Sequence, residues 1–392
     1  MLRRSAHRCA ALFLAFALLA GAPLTVAAHT PEAAIIVAEP TVSARYAVLI
    51  DAAGARTLFD KQAGVQAPMA STTKIMTALL LLEGGEPDLQ LAVTEAMAAV
   101  EGTSMGLKAG DLVTRYGLAC GMLLSSGNDA ANAAAIHLAG SLRAFALRMN
   151  ARAAGIGMHR TRFVNPSGLD EEGHQSTAYD MALLAREALK NPAFREICGQ
   201  MRIRVSYGNP PYPRTLKNHN RLLQIVPGVI GLKTGFTKKS GRCLVSACER
   251  EGVTLIAVTL NAPDDWDDHT KLYDYGFSLY KPCQLDDPAR TFALPVTGGR
   301  AVSAKLGFSA APTALLPEKP QNLRRELLLR PFEYAPLPKG RVAGAARYYD
   351  GDVLLAEVPL VVLGTVEQRP APPPKPAKKG LLERMKAWWG RK

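Results

Sequence analysis

"ASTTKIMTALL", residues 70 to 80, sets a serine and a lysine three positions apart at the head of an apolar run. The residues around Lys74 are good helix formers, so the stretch predicts a helix from Thr72 to about Glu83 with Ser71 and Lys74 in its first turn. Side chains at this spacing share one face. A tetrad of this kind is most often an N-cap serine followed by a lysine that snorkels out to water. Here the segment otherwise reads as core, and a lysine goes fully inside a fold only when it is paired or used. The neighbouring sequence has to decide between the two.

The chain has 392 residues, enough for two or three domains. Residues 1–28 read as a secretory signal peptide: Arg3, Arg4 and Arg8, an apolar run from Cys9 to Ala22, and a small-residue cleavage site at Val26-Ala27-Ala28. The run is short for a membrane span of about 20 residues, and no other segment is long enough. The mature protein is therefore expected outside the cytoplasm. The formal charge is +13, and loss of three arginines with the signal leaves +10. In an exported protein this points to anionic lipid or cell-wall polymer; no aromatic-interleaved basic motif supports nucleic acid as a partner. Five cysteines remain after cleavage, Cys120, Cys198, Cys243, Cys248 and Cys283, an odd and irregularly spaced set that is no disulfide framework. Scattered histidines, without Cys-x-x-Cys or His-Glu-x-x-His, suggest no metal site, and no cofactor is expected.

Residues 29–42 form a linker with Pro31 and Pro40. A strand over Arg45–Asp51 turns at "AAG" (52–54) and returns over Thr57–Lys61. Helical text follows to about residue 200, with amphipathic segments at 128–140, 141–155 and 177–190. Strands resume at Val229–Phe236, Cys243–Glu249 and Val253–Leu260, and Trp266–Tyr280 reads as a closing helix. Residues 43–282 are thus expected to be an α+β domain, an antiparallel sheet flanked by helices. Beyond it, short β-rich runs separated by "TGG" (297–299), Pro317 and "YYDGD" (348–352) indicate a small all-β domain over 283–366. A stiff Pro/Lys-rich linker over 367–379 leads to "GLLERMKAWWGRK", residues 380–392. There Leu381, Leu382, Met385, Trp388 and Trp389 share one helical face while charged residues populate the rest, the pattern of a helix lying in a membrane interface.

Two further stretches bear on Lys74. "LLSSGNDAAN" (123–132) carries Ser126-Gly127-Asn128 where an apolar segment breaks and a helix starts, and "GLKTGFT" (231–237) carries Lys233-Thr234-Gly235 inside a strand. Each alone is ordinary turn, cap or strand chemistry. In this order with Ser71-x-x-Lys74, they resemble the signatures of the active-site serine penicillin-recognising enzymes. The serine–glycine–asparagine form of the middle motif, with "EGTSMGL" and "FVNPSGL", is similar to the low-molecular-mass penicillin-binding proteins that are D-alanyl-D-alanine carboxypeptidases. The resemblance covers residues 43–280 and implies a β-lactamase/transpeptidase-like catalytic domain followed by a β-rich domain and an amphipathic anchor.

Serine is a poor nucleophile at neutral pH and needs a neighbouring base. Lys74 serves only if it is partly neutral, which desolvation and a second cation, Lys233, would bring about. The resemblance further implies that Ser71 attacks the carbonyl between two D-alanines, Lys74 is its base, and Ser126 relays a proton to the leaving amine. Asn128 would hold the substrate's backbone amide, and Lys233 and Thr234 its terminal carboxylate. Gly235 would let the substrate lie along the strand, and the N–H groups of Ser71 and Phe236 would form the oxyanion hole. One departure is visible: Ile230 stands where the family often has an aspartate. The partners so implied are peptidoglycan stem peptides ending in D-Ala-D-Ala, β-lactams as inhibitors, and an anionic membrane surface met through residues 380–392. The location implied is peripheral, on the outer face of the cytoplasmic membrane.

Three alternatives differ in chemistry. A class A β-lactamase needs a glutamate for its deacylating water, and "EALKN" at 187–191 lacks the leucine before asparagine of that loop. A D,D-endopeptidase on crosslinks is chemically closer, but such relatives usually lack the second domain and anchor. A catalytically silent wall-binding module has no reason to keep Ser71, Lys74, Ser126, Asn128 and Lys233 together.

Overall fold

The computed structural model describes residues 38–370. The signal peptide expected over 1–28 and the amphipathic segment over 380–392 lie outside the described residues.

Strands β1 (Tyr46–Asp51) and β2 (Thr57–Lys61) form the first hairpin. A 3-10 turn, Ala70–Thr73, feeds α1 (Lys74–Glu83); the sequence pattern had placed both parts in one regular helix. Strand β3 (Gln90–Ala92), the single turn α2 (Glu95–Ala98) and β4 (Leu112–Thr114) precede four helices, α3 (Arg115–Leu123), α4 (Asn128–Ala139), α5 (Leu142–Ile156) and α6 (Ala178–Ala188). A fifth helix, α7 (Pro192–Gly199), follows. Thr114, Ser141, Thr177 and Asn191 cap α3, α5, α6 and α7 by accepting from a backbone N–H three residues on. Gly140 and Gly157 end α4 and α5 in the left-handed conformation. The chain then runs through β5 (Arg202–Gly208), β6 (Pro211–Lys217), α8 (Leu222–Ile225), β7 (Val229–Thr237), β8 (Gly241–Arg250), β9 (Val253–Leu260) and α9 (Asp265–Ser278).

Five strands pair antiparallel in the order β2-β1-β9-β8-β7. Strand alternation sends Val48, Ile50, Val245, Ala247, Ile256 and Val258 to the face covered by α6 and α1, over which α3 and α4 pack to close the main core. The intervening Ala47, Leu49, Leu244, Leu255 and Ala257 meet Leu272 and Tyr273 of α9 on the other face. This part of the chain is therefore the helix-flanked antiparallel sheet expected from the sequence, with β7 at one edge. On the α9 face, His269 lies between the Ser246 hydroxyl (2.7 Å) and the Thr259 hydroxyl (3.0 Å), and burial pushes its pKa down to about 3.

No strand was expected between residues 200 and 228, yet β5 and β6 form a hairpin that joins β3 and β4 in a four-stranded sheet of order β3-β4-β5-β6. Alternating Ile203, Val205 and Tyr207 carry the signal, but Pro211 and Pro213 mask it. Both prolines fall on the outermost strand, where a missing N–H leaves no ladder bond unmade.

Residues 281–362 contribute only strands: β10 (Lys281–Gln284), β11 (Thr291–Thr297), β12 (Ser303–Phe308), β13 (Thr313–Leu316), β14 (Leu323–Leu329), β15 (Glu333–Tyr334), β16 (Val342–Asp350) and β17 (Val353–Val362). β10 pairs with β13, and the other six form one sheet of order β14-β16-β17-β12-β11-β15 around a separate core of Leu294, Leu306, Ala346 and Leu360. The turn between β16 and β17 points at the first hairpin: a Cβ on Gly54 would lie 3.1 Å from Val353, and Arg56 pairs with Glu318 and reaches Asp350. The five cysteines among the described residues are free thiols. Among the described residues no helix is long and apolar enough to cross a membrane.

Candidate active site

The 3-10 turn holds Ser71 at the head of α1, and Lys74, the first residue of that helix, is fully buried. Its ammonium donates to the Ser71 hydroxyl oxygen at 2.9 Å and to the Ser167 carbonyl at 2.6 Å. Burial drives the Lys74 pKa well below its ordinary 10.5, the Lys233 charge pushes the same way, and Asp129 opposes both. Residues 165–168 press on this turn from outside. The Thr77 hydroxyl donates to the Pro166 carbonyl (2.7 Å), and Gly168, at φ +85°, lies so close to Ala70 that a Cβ there would sit 2.0 Å from the Ala70 carbonyl oxygen. His174 supports it from beneath. Its Nδ1 accepts from the Val164 N–H (3.0 Å), which leaves Nε2–H to donate to the Thr73 hydroxyl (2.8 Å), and that hydroxyl donates to the Ala70 carbonyl (2.8 Å).

Ser126 sits between α3 and α4 at φ +59°, a left-handed backbone that is costly for serine and is held by its surroundings. The Thr103 hydroxyl donates to the Ser126 carbonyl (2.6 Å), and the Asn128 N–H donates to the Thr103 carbonyl (2.8 Å). The buried Asp129 carboxylate fixes the same loop by accepting from the Ser104 hydroxyl (2.6 Å) and from the N–H groups of Met105, Gly106 and Leu107 (2.9, 3.0 and 2.9 Å). The Asn128 side chain donates to the Glu101 carbonyl (2.6 Å), and its amide oxygen has no partner among the described residues.

The third wall is the edge strand β7. Lys233 is buried, donates to the Thr234 carbonyl at 2.7 Å, and is pushed down to about 7 by burial. Gly235 passes so near the serine turn that a Cβ would lie 2.9 Å from the Ser71 nitrogen. Phe236 projects outward and is 66% exposed.

Ser71, Ser126, Asn128, Thr234, Gly235 and Phe236 line one open cleft, with the Lys74 and Lys233 ammonium groups buried behind it. Every candidate named from the sequence is thus brought to one place. The structure adds wall residues that the sequence reading missed. His219 lines the cleft, its pKa lowered by burial and by Lys233. Arg242 also lines it, donating to Asp265 at 2.9 and 2.6 Å with its guanidinium 5.4 Å from the Trp266 ring. The register of β7 and β8, which sets Phe236 opposite Arg242, was the only signal that could have found Arg242. Ile230 does not line the cleft. It packs against the main core beside Cys198, whose thiol donates to the Ile230 carbonyl at 3.3 Å, so this departure is one of packing.

A serine hydrogen-bonded to a buried lysine, closed in by a serine–asparagine turn and a lysine–threonine–glycine edge strand, defines a serine hydrolase of the penicillin-recognising class. The D-alanyl-D-alanine carboxypeptidase family, peptidase family S11, matches residues 33–264, and the chain belongs to it. D-alanyl-D-alanine carboxypeptidase DacF of Bacillus subtilis is 32% identical over 329 residues, 81% of this chain and 84% of that one. The crystal structure of D-alanyl-D-alanine carboxypeptidase DacD from Francisella tularensis superposes with a TM-score of 0.57 at 26% identity, over 85% of this chain and 95% of that one. A D-alanyl-D-alanine endopeptidase of Escherichia coli is also similar, 31% identical over 216 residues, but spans only 54% of this chain.

Proposed function

We propose that the protein removes the terminal D-alanine from peptidoglycan stem peptides through an acyl-enzyme on Ser71. The observation that carries this reading is the 2.9 Å contact between Ser71 and a Lys74 that burial and Lys233 drive toward neutrality. Burial lowers both lysines, so the pair is held below two full positive charges, and Lys74 is the one within hydrogen-bond reach of Ser71 and so the one placed to take its proton. The serine oxygen then attacks the carbonyl between the two D-alanines. The N–H groups of Ser71 and Phe236 stabilise the oxyanion, a contribution commonly worth 10²–10³ in rate per donor. Ser126 passes the proton on to the leaving amine, and water releases the acyl group. The unpartnered amide oxygen of Asn128 suits the N–H of a substrate peptide lying along β7, and Lys233 and Thr234 suit its terminal carboxylate. The same geometry accepts a β-lactam, whose ring amide takes the place of the scissile bond.

The carboxypeptidase reading is preferred to the endopeptidase one because the similarity to a carboxypeptidase runs on through the strand-rich residues beyond 281, whereas the endopeptidase alignment covers about half the chain. We place the enzyme on the outer face of the cytoplasmic membrane, exported by residues 1–28 and held to anionic lipid by residues 380–392. The test is incubation of the mature chain with a pentapeptide ending D-Ala-D-Ala and mass analysis of the product. Loss of a single alanine supports the reading. An intact pentapeptide, with cleavage of a crosslinked dimer instead, rejects it in favour of the endopeptidase.

A further inference from the structure

The β domain has one end turned to the catalytic part and one end turned away. Asp350 and Val353 lie at the first, while Val342 and Val362, at the other ends of β16 and β17, lie at the second. Nine residues of β16 separate the two ends by about 30 Å at ~3.3 Å per residue.

The far end exposes side chains that a free surface seldom shows. Val302 is 76% exposed, Tyr334 66%, Val342 60% and Phe332 43%. The Phe332 and Tyr334 rings meet edge to face at 5.3 Å, and Tyr334 pairs with Thr297 at the root of the β11–β12 turn that carries Val302. Cations surround them. Arg330 and Arg341 flank the largely buried Glu333, Arg300 pairs with Glu367 at 3.4 Å, and Lys339 and Arg369 are exposed without an ion-pair partner among the described residues, so that five cations face two carboxylates. The described chain also leaves the domain here, since the Arg369 N–H donates to the Gly298 carbonyl at 2.8 Å. From Pro370, the nine residues 371–379 span at most about 30 Å as an extended proline-rich segment before the amphipathic sequence begins.

We propose that this far end of the β domain is itself a lipid-contacting surface, resting Val302, Phe332 and Tyr334 in the headgroup layer of an anionic bilayer with the surrounding arginines on its phosphates. Aromatic and aliphatic tips ringed by arginine fit that layer better than they fit water or a wall polymer. The tail and the domain then grip the membrane at two points, and the second point fixes the direction of the 30 Å spacer so that the Ser71 cleft is held away from the bilayer. The proposal rests on the membrane location proposed above, and its test separates the two.

The mature chain, its truncation lacking residues 380–392, and a Val302→Ser/Phe332→Ser/Tyr334→Ser variant of each are sedimented with phosphatidylglycerol-rich vesicles and with phosphatidylcholine vesicles. In the intact chain the triple substitution is expected to weaken binding to the anionic vesicles about tenfold or more while penicillin acylation and melting temperature stay as in the wild type. The truncated chain should keep weak, salt-sensitive binding that the triple substitution removes. A Lys339→Gln/Arg369→Gln variant, which removes two exposed charges that make no ion pair among the described residues, should weaken anionic binding without touching the fold, and it carries the test if the triple variant misfolds. Unchanged binding in both variants overturns the proposal and leaves the tail anchor standing. Full binding by the truncated chain rejects the tail, and no binding by the intact chain rejects both. A loss of self-association in solution with vesicle binding unchanged assigns the far end to a second copy of the chain, and the proposal fails.

Discussion

Gly168→Ala should damage the active site without touching any reactive group. The glycine holds φ +85°, and a methyl there would lie 2.0 Å from the Ala70 carbonyl oxygen, 2.5 Å from its carbon and 2.9 Å from the Thr73 hydroxyl. A carbon and a carbonyl oxygen rarely come closer than about 3.3 Å, so the backbone must yield by about 1 Å. The atom in the way belongs to the residue before Ser71, so the serine moves with it. The left-handed backbone costs an alanine about 1–2 kcal/mol and overpacking a further 1–3 kcal/mol. At about 2–4 °C per kcal/mol the melting temperature should fall by about 4–20 °C. Displacing a nucleophile by about 1 Å costs about 10²-fold in rate. The assay is the second-order rate of acylation by a fluorescent penicillin, read beside the melting temperature. Gly157→Ala is the control: it has φ +94°, nothing within 4 Å of the added methyl, and a place at the end of α5. It should lose stability of about 1–2 kcal/mol and keep its acylation rate. Acylation by Gly168→Ala within threefold of wild type, or an equal loss in Gly157→Ala, would refute the reasoning.

Three other outcomes are expected. Lys74→Arg keeps the charge but cannot release a proton, so acylation should slow by at least about 10²-fold; a rate within tenfold of wild type removes Lys74 from the role of base. Lys233→Met removes the charge that helps to lower the Lys74 pKa, so the acidic limb of the acylation pH profile should move to higher pH, and a limb that stays put or moves down contradicts the coupling. The folded-state pKa of His269, about 3, lies below its ordinary 6.5, so as pH falls below about 6.5 the unfolded chain takes up a proton that the folded chain refuses and stability is lost; above 6.5 the group contributes no slope. His269→Gln, though less stable throughout, should show a smaller drop in melting temperature between pH 7 and pH 5, and an unchanged drop would mean that another group supplies it.

What the sequence disclosed and what it hid divide along a physical line. Ser71, Lys74, Ser126, Asn128, Lys233 and Thr234 carry side chains of unusual type for their places, and each group falls within a few residues, so short stretches were enough to single them out. The second partner of Lys74 is the Ser167 carbonyl, an atom that every residue carries, and only the fold brings it across 93 positions to the lysine. Asp129 reads as an ordinary first-turn acid of α4, and its work is to gather the N–H groups of residues 105–107 and so to hold Ser126 and Asn128 in place. Arg242 and His219 lie outside the motifs and reach the cleft through strand register and chain reversal, neither of which short-range periodicity reports. The hairpin β5–β6 was hidden for a different reason, since proline is read as a strand breaker and an outermost strand does not need the N–H that proline lacks. The far end of the β domain was hidden by its composition: Val302, Phe332 and Tyr334 are residues that a pattern assigns to a core. Their exposure, beside arginines and at the point where the described chain ends, is a property of the folded chain alone, and an exposed apolar cluster is the mark of a contact surface, which only the folded chain can display.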